Sequence, residues 1–170
     1  MNAAHKLIDA KFTEYRTQNI QKAALAEWLV SSIPADLDLF FLTLTMKQAV
    51  NLDNTWIPIN RQSADQNIAF FLKNLNRSIF KHAYERRGKR LIVIDASEGD
   101  GKNKRFHRHL LIEKPSKLTD EQFTSAIHCA WSKCFFSYRV VDVQRAQNKS
   151  AIVKYVTKES DSICLDNLSL

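Results

Sequence analysis

The chain has 170 residues, enough for one domain with a buried core. With 45% hydrophobic and 25% charged residues and only three glycines and three prolines, it is neither disordered nor linker-rich, and no apolar run reaches the roughly 18 residues a membrane span needs. The net charge of +7 is concentrated in residues 61–114, which hold 13 basic and 6 acidic side chains, against 5 and 6 before them and 7 and 6 after; such a zone favours a polyanionic partner, the alternative being a solvated surface.

Residues 5–30 carry apolar groups at helical spacing (Leu7, Ile8, Phe12, Tyr15, Ala24, Leu25, Trp28, Leu29) until Pro34 stops the pattern. Residues 1–34 therefore read as an N-terminal helical extension. The first residues have no continuous apolar stretch, so no secretory signal is expected and the location reads as cytoplasmic. Leu37 to Met46 is apolar, aromatic and of strand length, and reads as a buried strand. Asn51 to Asn60, with Pro58, reads as a loop.

Ser63 and Gln66 form a capping-box pattern. The helix behind it has an apolar face at Ile68, Phe71, Leu72, Leu75 and Ile79, and a basic stripe at Lys73, Arg77 and Lys81. The basic run Arg86 to Arg90 ends it. Leu91 to Asp95 reads as a second strand, followed by turn residues at Glu98 to Gly101. Phe106 to Glu113 reads as the strand pairing with it in a hairpin, across a basic loop from Lys102 to Arg105. Thr119 and Gln122 cap a helix whose apolar face holds Phe123, Ile127, Ala130, Trp131 and Cys134. Arg139 to Gln144 is a fourth strand. A short helix starts at Asn148 or Ser150, and a polar tail, 161–170, is expected to fray. The order predicts an α+β fold with a central, mostly antiparallel sheet flanked by helices.

The chemistry starts with His107 and His109. Two residues apart on a strand, they share a face with Leu111 and Glu113, while Arg108, Leu110 and Ile112 face the other way. Glu98 ends the neighbouring strand, where a hairpin returns its carboxylate toward the imidazoles; Glu113 is the alternative third ligand. Two nitrogens and a carboxylate without thiolate make an open metal site suited to Mn²⁺ or Mg²⁺. Tyr155 and Lys158, i and i+3 on a helix, share a face; a phenol of pKa about 10 needs a cationic neighbour to act as a nucleophile. Cys129, Cys134 and Cys164 lack the spacing of a disulfide framework, and Cys129 and Cys134 read as buried thiols rather than zinc ligands with His128.

The ordered set, apolar strand Phe40 to Thr45, His107/His109, then Tyr155 with Lys158 one turn on, resembles the HUH superfamily of single-strand nickases, specifically the rolling-circle replication initiators of plasmids and phages. The resemblance spans about residues 37–159, within an endonuclease domain placed at 35–160. It departs from the family at Arg108, where a hydrophobic residue is usual between the histidines. It implies a sequence-specific single-stranded DNA nickase and strand transferase. His107, His109 and Glu98 would hold the metal, and Tyr155 would form a 5′-phosphotyrosine link, assisted by Lys158. Lys73, Arg77, Lys81, Lys102, Lys104 and Arg105 are the expected phosphate contacts. Origin DNA and the replication machinery of a bacterial host are the expected partners; since no phosphate-binding GxxxxGK[ST] loop is present, a host helicase is expected as well, or the chain is the nuclease part of a longer protein. The alternatives are a non-catalytic origin-binding module on the same fold and a small single-tyrosine transposase.

Overall fold

The computed structural model describes residues 19–99, 104–159 and 162–163, with the side chains of 158, 159 and 162 excepted. Helix α1 is described over 19–32. It is followed by β1 (Leu39–Met46), the short strands β2 (Ala49–Leu52) and β3 (Thr55–Pro58), and helices α2 (Arg61–Phe80) and α3 (His82–Arg87). Then come β4 (Val93–Glu98), β5 (His107–Glu113), α4 (Asp120–Ser132), β6 (Ser137–Arg145), α5 (Lys149–Glu159) and the two-residue β7 (Ser162–Ile163).

The main sheet has the order β6-β1-β5-β4-β7, and every neighbouring pair in it is antiparallel. This is the α+β architecture that the order of elements predicts. Period-2 alternation in β1 divides the molecule into layers. Phe40, Leu42, Leu44 and Met46 join Ile68, Phe71 and Leu75 of α2 and Phe123, Ile127 and Trp131 of α4 in the larger core. Leu39 meets Leu29 of α1, Val153 and Val156 of α5 and Leu111 of β5 in a second core on the other face. Leu42, Leu44 and Met46 are fully buried, each contributing about 1.5–3 kcal/mol of apolar burial. The helix at 19–32 and the turn after it pack on the domain through Ala26, Leu29 and Ile33; residues 1–18 of the expected extension lie outside the described residues.

Several boundaries differ from the sequence reading for identifiable reasons. The expected loop at Asn51 to Asn60 contains most of a hairpin: Asp53 and Asn54 both take positive φ (48° and 63°), as a two-residue primed turn requires, and Pro58 sits at the very end of β3, where a missing N–H is tolerated. Helix α2 begins two residues before Ser63; its N-cap is Asn60, whose side chain accepts from the Ser63 amide at 2.8 Å. The helix breaks at Lys81 (φ 48°) before α3, which Gly88 closes in the left-handed region (φ 66°). Strand β4 starts at Val93 rather than Leu91. The amides of Leu91 and Ile92 donate to the side chains of Asn76 (2.8 Å) and Glu113 (3.2 Å).

Cys134 is buried, which pushes its thiol up to about 12, whereas Cys129 is exposed, contrary to the expectation of a buried thiol. Cys164 lies outside the described residues. Of the expected fraying tail, Ser162 and Ile163 instead pair with Ser97 and Ala96 on β4; 161 and 164–170 lie outside the described residues.

Candidate metal centre

Antiparallel register builds the site. On β5, His107 stands opposite Glu98 of β4 and Thr45 of β1, and His109 stands opposite Ala96 and Thr43. Directly opposed residues share a face, so Glu98, both histidines, Thr43 and Thr45 project to the side covered by α5. Glu98 Oε2 lies 2.8 Å from His107 Nε2 and 2.9 Å from His109 Nε2. These three side chains each present a ligand atom within 4.8 Å of the others and could hold a metal ion; no other such cluster occurs among the described residues. Glu113 sits toward the other end of β5, where its carboxylate accepts from the Ile92 amide, leaving Glu98 as the carboxylate at the histidines.

The outer nitrogens of the imidazoles are held as well. His107 Nδ1 lies 2.8 Å from the carbonyl of Arg105, which can only accept, so Nδ1 donates there and Nε2 is the nitrogen turned to Glu98. So close an approach of Nε2 to a carboxylate oxygen needs positive charge between them, which a proton supplies and which a metal ion would supply once Nε2 is deprotonated. His109 Nδ1 hydrogen-bonds Thr43 Oγ1 at 3.2 Å, and Phe41 stacks on the same ring (centroids 5.4 Å apart, planes at 9°). Burial, followed by the charges of His107 and Lys104, lowers the His109 pKa to about 4, which keeps this imidazole neutral and able to ligate near pH 7. Gly99 has φ of 94°, and a Cβ there would collide with the Arg105 carbonyl. Only glycine allows the chain to pass that close to the group orienting His107.

Tyr155 completes the surroundings. Its ring meets His109 edge-on at 5.9 Å and Phe41 edge-on at 6.2 Å, yet it is 48% exposed. Glu98 and His109 are buried and His107 is only partly so, so the site opens on the His107 and Tyr155 side.

The basic residues distribute unevenly. Lys104 pairs with Glu98 Oε1 while its side chain stays more than half exposed, so its charge is already engaged by the carboxylate of the candidate centre. Arg105 lies with its guanidinium 5.6 Å from the Tyr138 ring centre. Lys73, Arg77 and Lys81 ride on or just beyond α2, which packs against the sheet face opposite the histidines, and Arg77 is paired with Glu85 at 2.7 Å. The structure does not bring this stripe to the metal centre. Lys102 and the side chain of Lys158 lie outside the described residues.

Arg108 is 1% exposed and projects, as alternation requires, away from the metal face. It pairs with Asp65 of α2 and with Asp95 of β4 (3.5 Å). Beside it Arg61 donates to Ser97 at 2.9 Å. Phe41, Thr43 and Gly99 are the site residues that sequence reasoning missed. Alternation along β1 could have flagged the first two once its pairing with the histidine strand was assumed. Comparison of the chain with family models, with curated proteins and with solved structures found no match.

Proposed function

We propose that this chain is a metal-dependent single-stranded DNA nickase and strand transferase with Tyr155 as its nucleophile, acting as a replication initiator. The observation that carries the reading is the exposed Tyr155 ring set edge-on against His109, one of three side chains that could hold a metal ion. Together with the order of apolar strand, paired histidines and tyrosine with lysine one turn on, this supports the resemblance to rolling-circle initiators.

His107, His109 and Glu98 would hold the cation. Mn²⁺ or Mg²⁺ is the cation that the resemblance implies for a phosphodiester reaction; a set of two imidazoles and a carboxylate is also one that Zn²⁺ takes. Bound there, the cation would polarise a phosphodiester oxygen and offset charge built up during displacement. The chain's own residues do the rest. His109 is kept neutral by burial and by its neighbours, and Phe41 and Thr43 hold its ring. The Tyr155 oxygen attacks phosphorus and its proton passes to solvent. The P–O3′ bond breaks and the departing oxygen takes up a proton, leaving a free 3′-OH and a 5′-phosphotyrosine. Lys158, one turn along α5, would favour the phenolate or orient the phosphate. Because the link conserves one phosphodiester for another, the reverse reaction rejoins strands.

A single-stranded oligonucleotide carrying the origin, incubated with the protein, tests this: cleavage stops with EDTA and returns with Mn²⁺. Cleavage indifferent to EDTA removes the metal role.

A further inference from the structure

We infer that the groove at the edge of β6 binds the strand flanking the cut, with Tyr138 as a base-stacking platform and Lys47 and Arg139 as phosphate contacts. This rests on the nickase reading and assigns it a binding surface. The groove, about 460 Å³, is lined by Lys47, Tyr138 and Arg139 together with His128, Ser137 and the buried Trp131, and no carboxylate lines it.

Its parts are fixed by the fold. Strand β6 shifts register against β1 between Leu44 and Met46, and the extra residues carry Tyr138 and Arg139 outward at an edge strand. The Trp131 indole donates to the Tyr138 carbonyl at 3.0 Å, and Phe71 packs edge-on against Trp131, so the platform's backbone is anchored in the core while its ring is 40% exposed. The Lys47 amide donates to the Phe136 carbonyl at 2.9 Å, which holds β1's exit beside the groove. Among the described residues neither the Lys47 nor the Arg139 side chain is engaged in an ion pair or hydrogen bond, unlike Arg77, Arg108, Lys114 and Arg145.

One residue joins the groove to the metal centre. The Arg105 carbonyl orients His107 while its guanidinium lies over Tyr138. Met46, just before Lys47, donates its amide to the carbonyl of Phe106, next to His107. Two free cations, an aromatic face already paired with a guanidinium, and no acidic lining match the backbone and the planar bases of a single strand. An acidic peptide would satisfy the cations but leave the aromatic platform without a planar partner.

The test is binding of a fluorescently labelled oligo(dT) strand, read by anisotropy with EDTA present so that cleavage does not contribute. Tyr138→Ala weakens binding about 5- to 100-fold, the loss of one base stack, and Tyr138→Phe does not. Lys47→Ala and Arg139→Ala each flatten the dependence of affinity on salt by roughly 0.7 in log–log slope. Binding by Tyr138→Ala and Lys47→Ala within twofold of the parent, in folded protein, overturns the groove. A parent that binds through Tyr138 yet never forms a Tyr155 adduct overturns the nickase and keeps the groove. A parent that forms the adduct while these variants bind normally does the reverse, and a parent that does neither overturns both.

Discussion

His109 is constrained on every side: Glu98 at one nitrogen, Thr43 at the other, Phe41 against one face and Tyr155 at its edge. Burial, His107 and Lys104 hold its pKa at about 4 against an ordinary 6.5. Between those values the unfolded chain takes up a proton that the folded chain does not. This contribution to stability is therefore complete above about pH 6.5 and drains away as pH falls toward 4. Metal-free protein is expected to lose melting temperature between pH 7 and pH 5, and His109→Gln to flatten that dependence. A second consequence follows from Gly99. Gly99→Ala must displace the Arg105 carbonyl that sets the His107 tautomer, so titration with Mn²⁺ should find affinity reduced about 10- to 100-fold, the usual cost of losing an orienting partner. At this scale the histidines and Glu98 were legible because alternation and hairpin return place them, whereas Tyr155 was singled out by its helical spacing to Lys158 and by the resemblance. Phe41, Thr43 and Gly99 were not, because their roles depend on which strand lies beside β5 and on how closely the chain passes Arg105.

Among the elements, β5 is the one whose two faces do different work. One face carries the histidines and the other buries Arg108 against Asp65 and Asp95. Arg108 thereby ties the histidine strand to α2 and β4. Removing one partner of a buried pair leaves the others uncompensated, at a cost of about 3–5 kcal/mol. Arg108→Ala should lower stability by that order in urea unfolding, while Arg108→Ala combined with Asp95→Asn recovers part of it. Strand β1, α4 and the capping of α4 at Thr119 with Gln122 were readable because each has a strong period or cap. The β2–β3 hairpin was hidden by Pro58 and by a turn of Asp53 and Asn54 that lacks glycine. The break at Lys81 was hidden because nothing in a lysine announces a positive φ.

For the whole molecule, the basic excess that the sequence concentrates in 61–114 is divided by the fold. Part is spent internally on Asp65, Asp95, Glu85 and Glu98. Arg105 lies over Tyr138, a residue of the groove that Lys47 and Arg139 from outside that segment also line. Segment charge alone does not locate where exposed cations gather, since that depends on strand order. Among the described residues no helix is long and apolar enough to cross a membrane. A ligand that binds only the folded chain stabilises it by about 2.7 kcal/mol at a hundredfold excess over Kd. For a chain of this size that is a rise of roughly 5–10 °C in Tm with saturating Mn²⁺, absent in a variant carrying His107→Ala and His109→Ala. Intact-mass spectrometry after incubation with single-stranded origin DNA and Mn²⁺ tests the proposed covalent step most directly. A protein–DNA adduct is expected, placed on Tyr155 by peptide mapping and absent from Tyr155→Phe. An adduct of the same yield in Tyr155→Phe, or strand cleavage with no adduct at any time point, would contradict it.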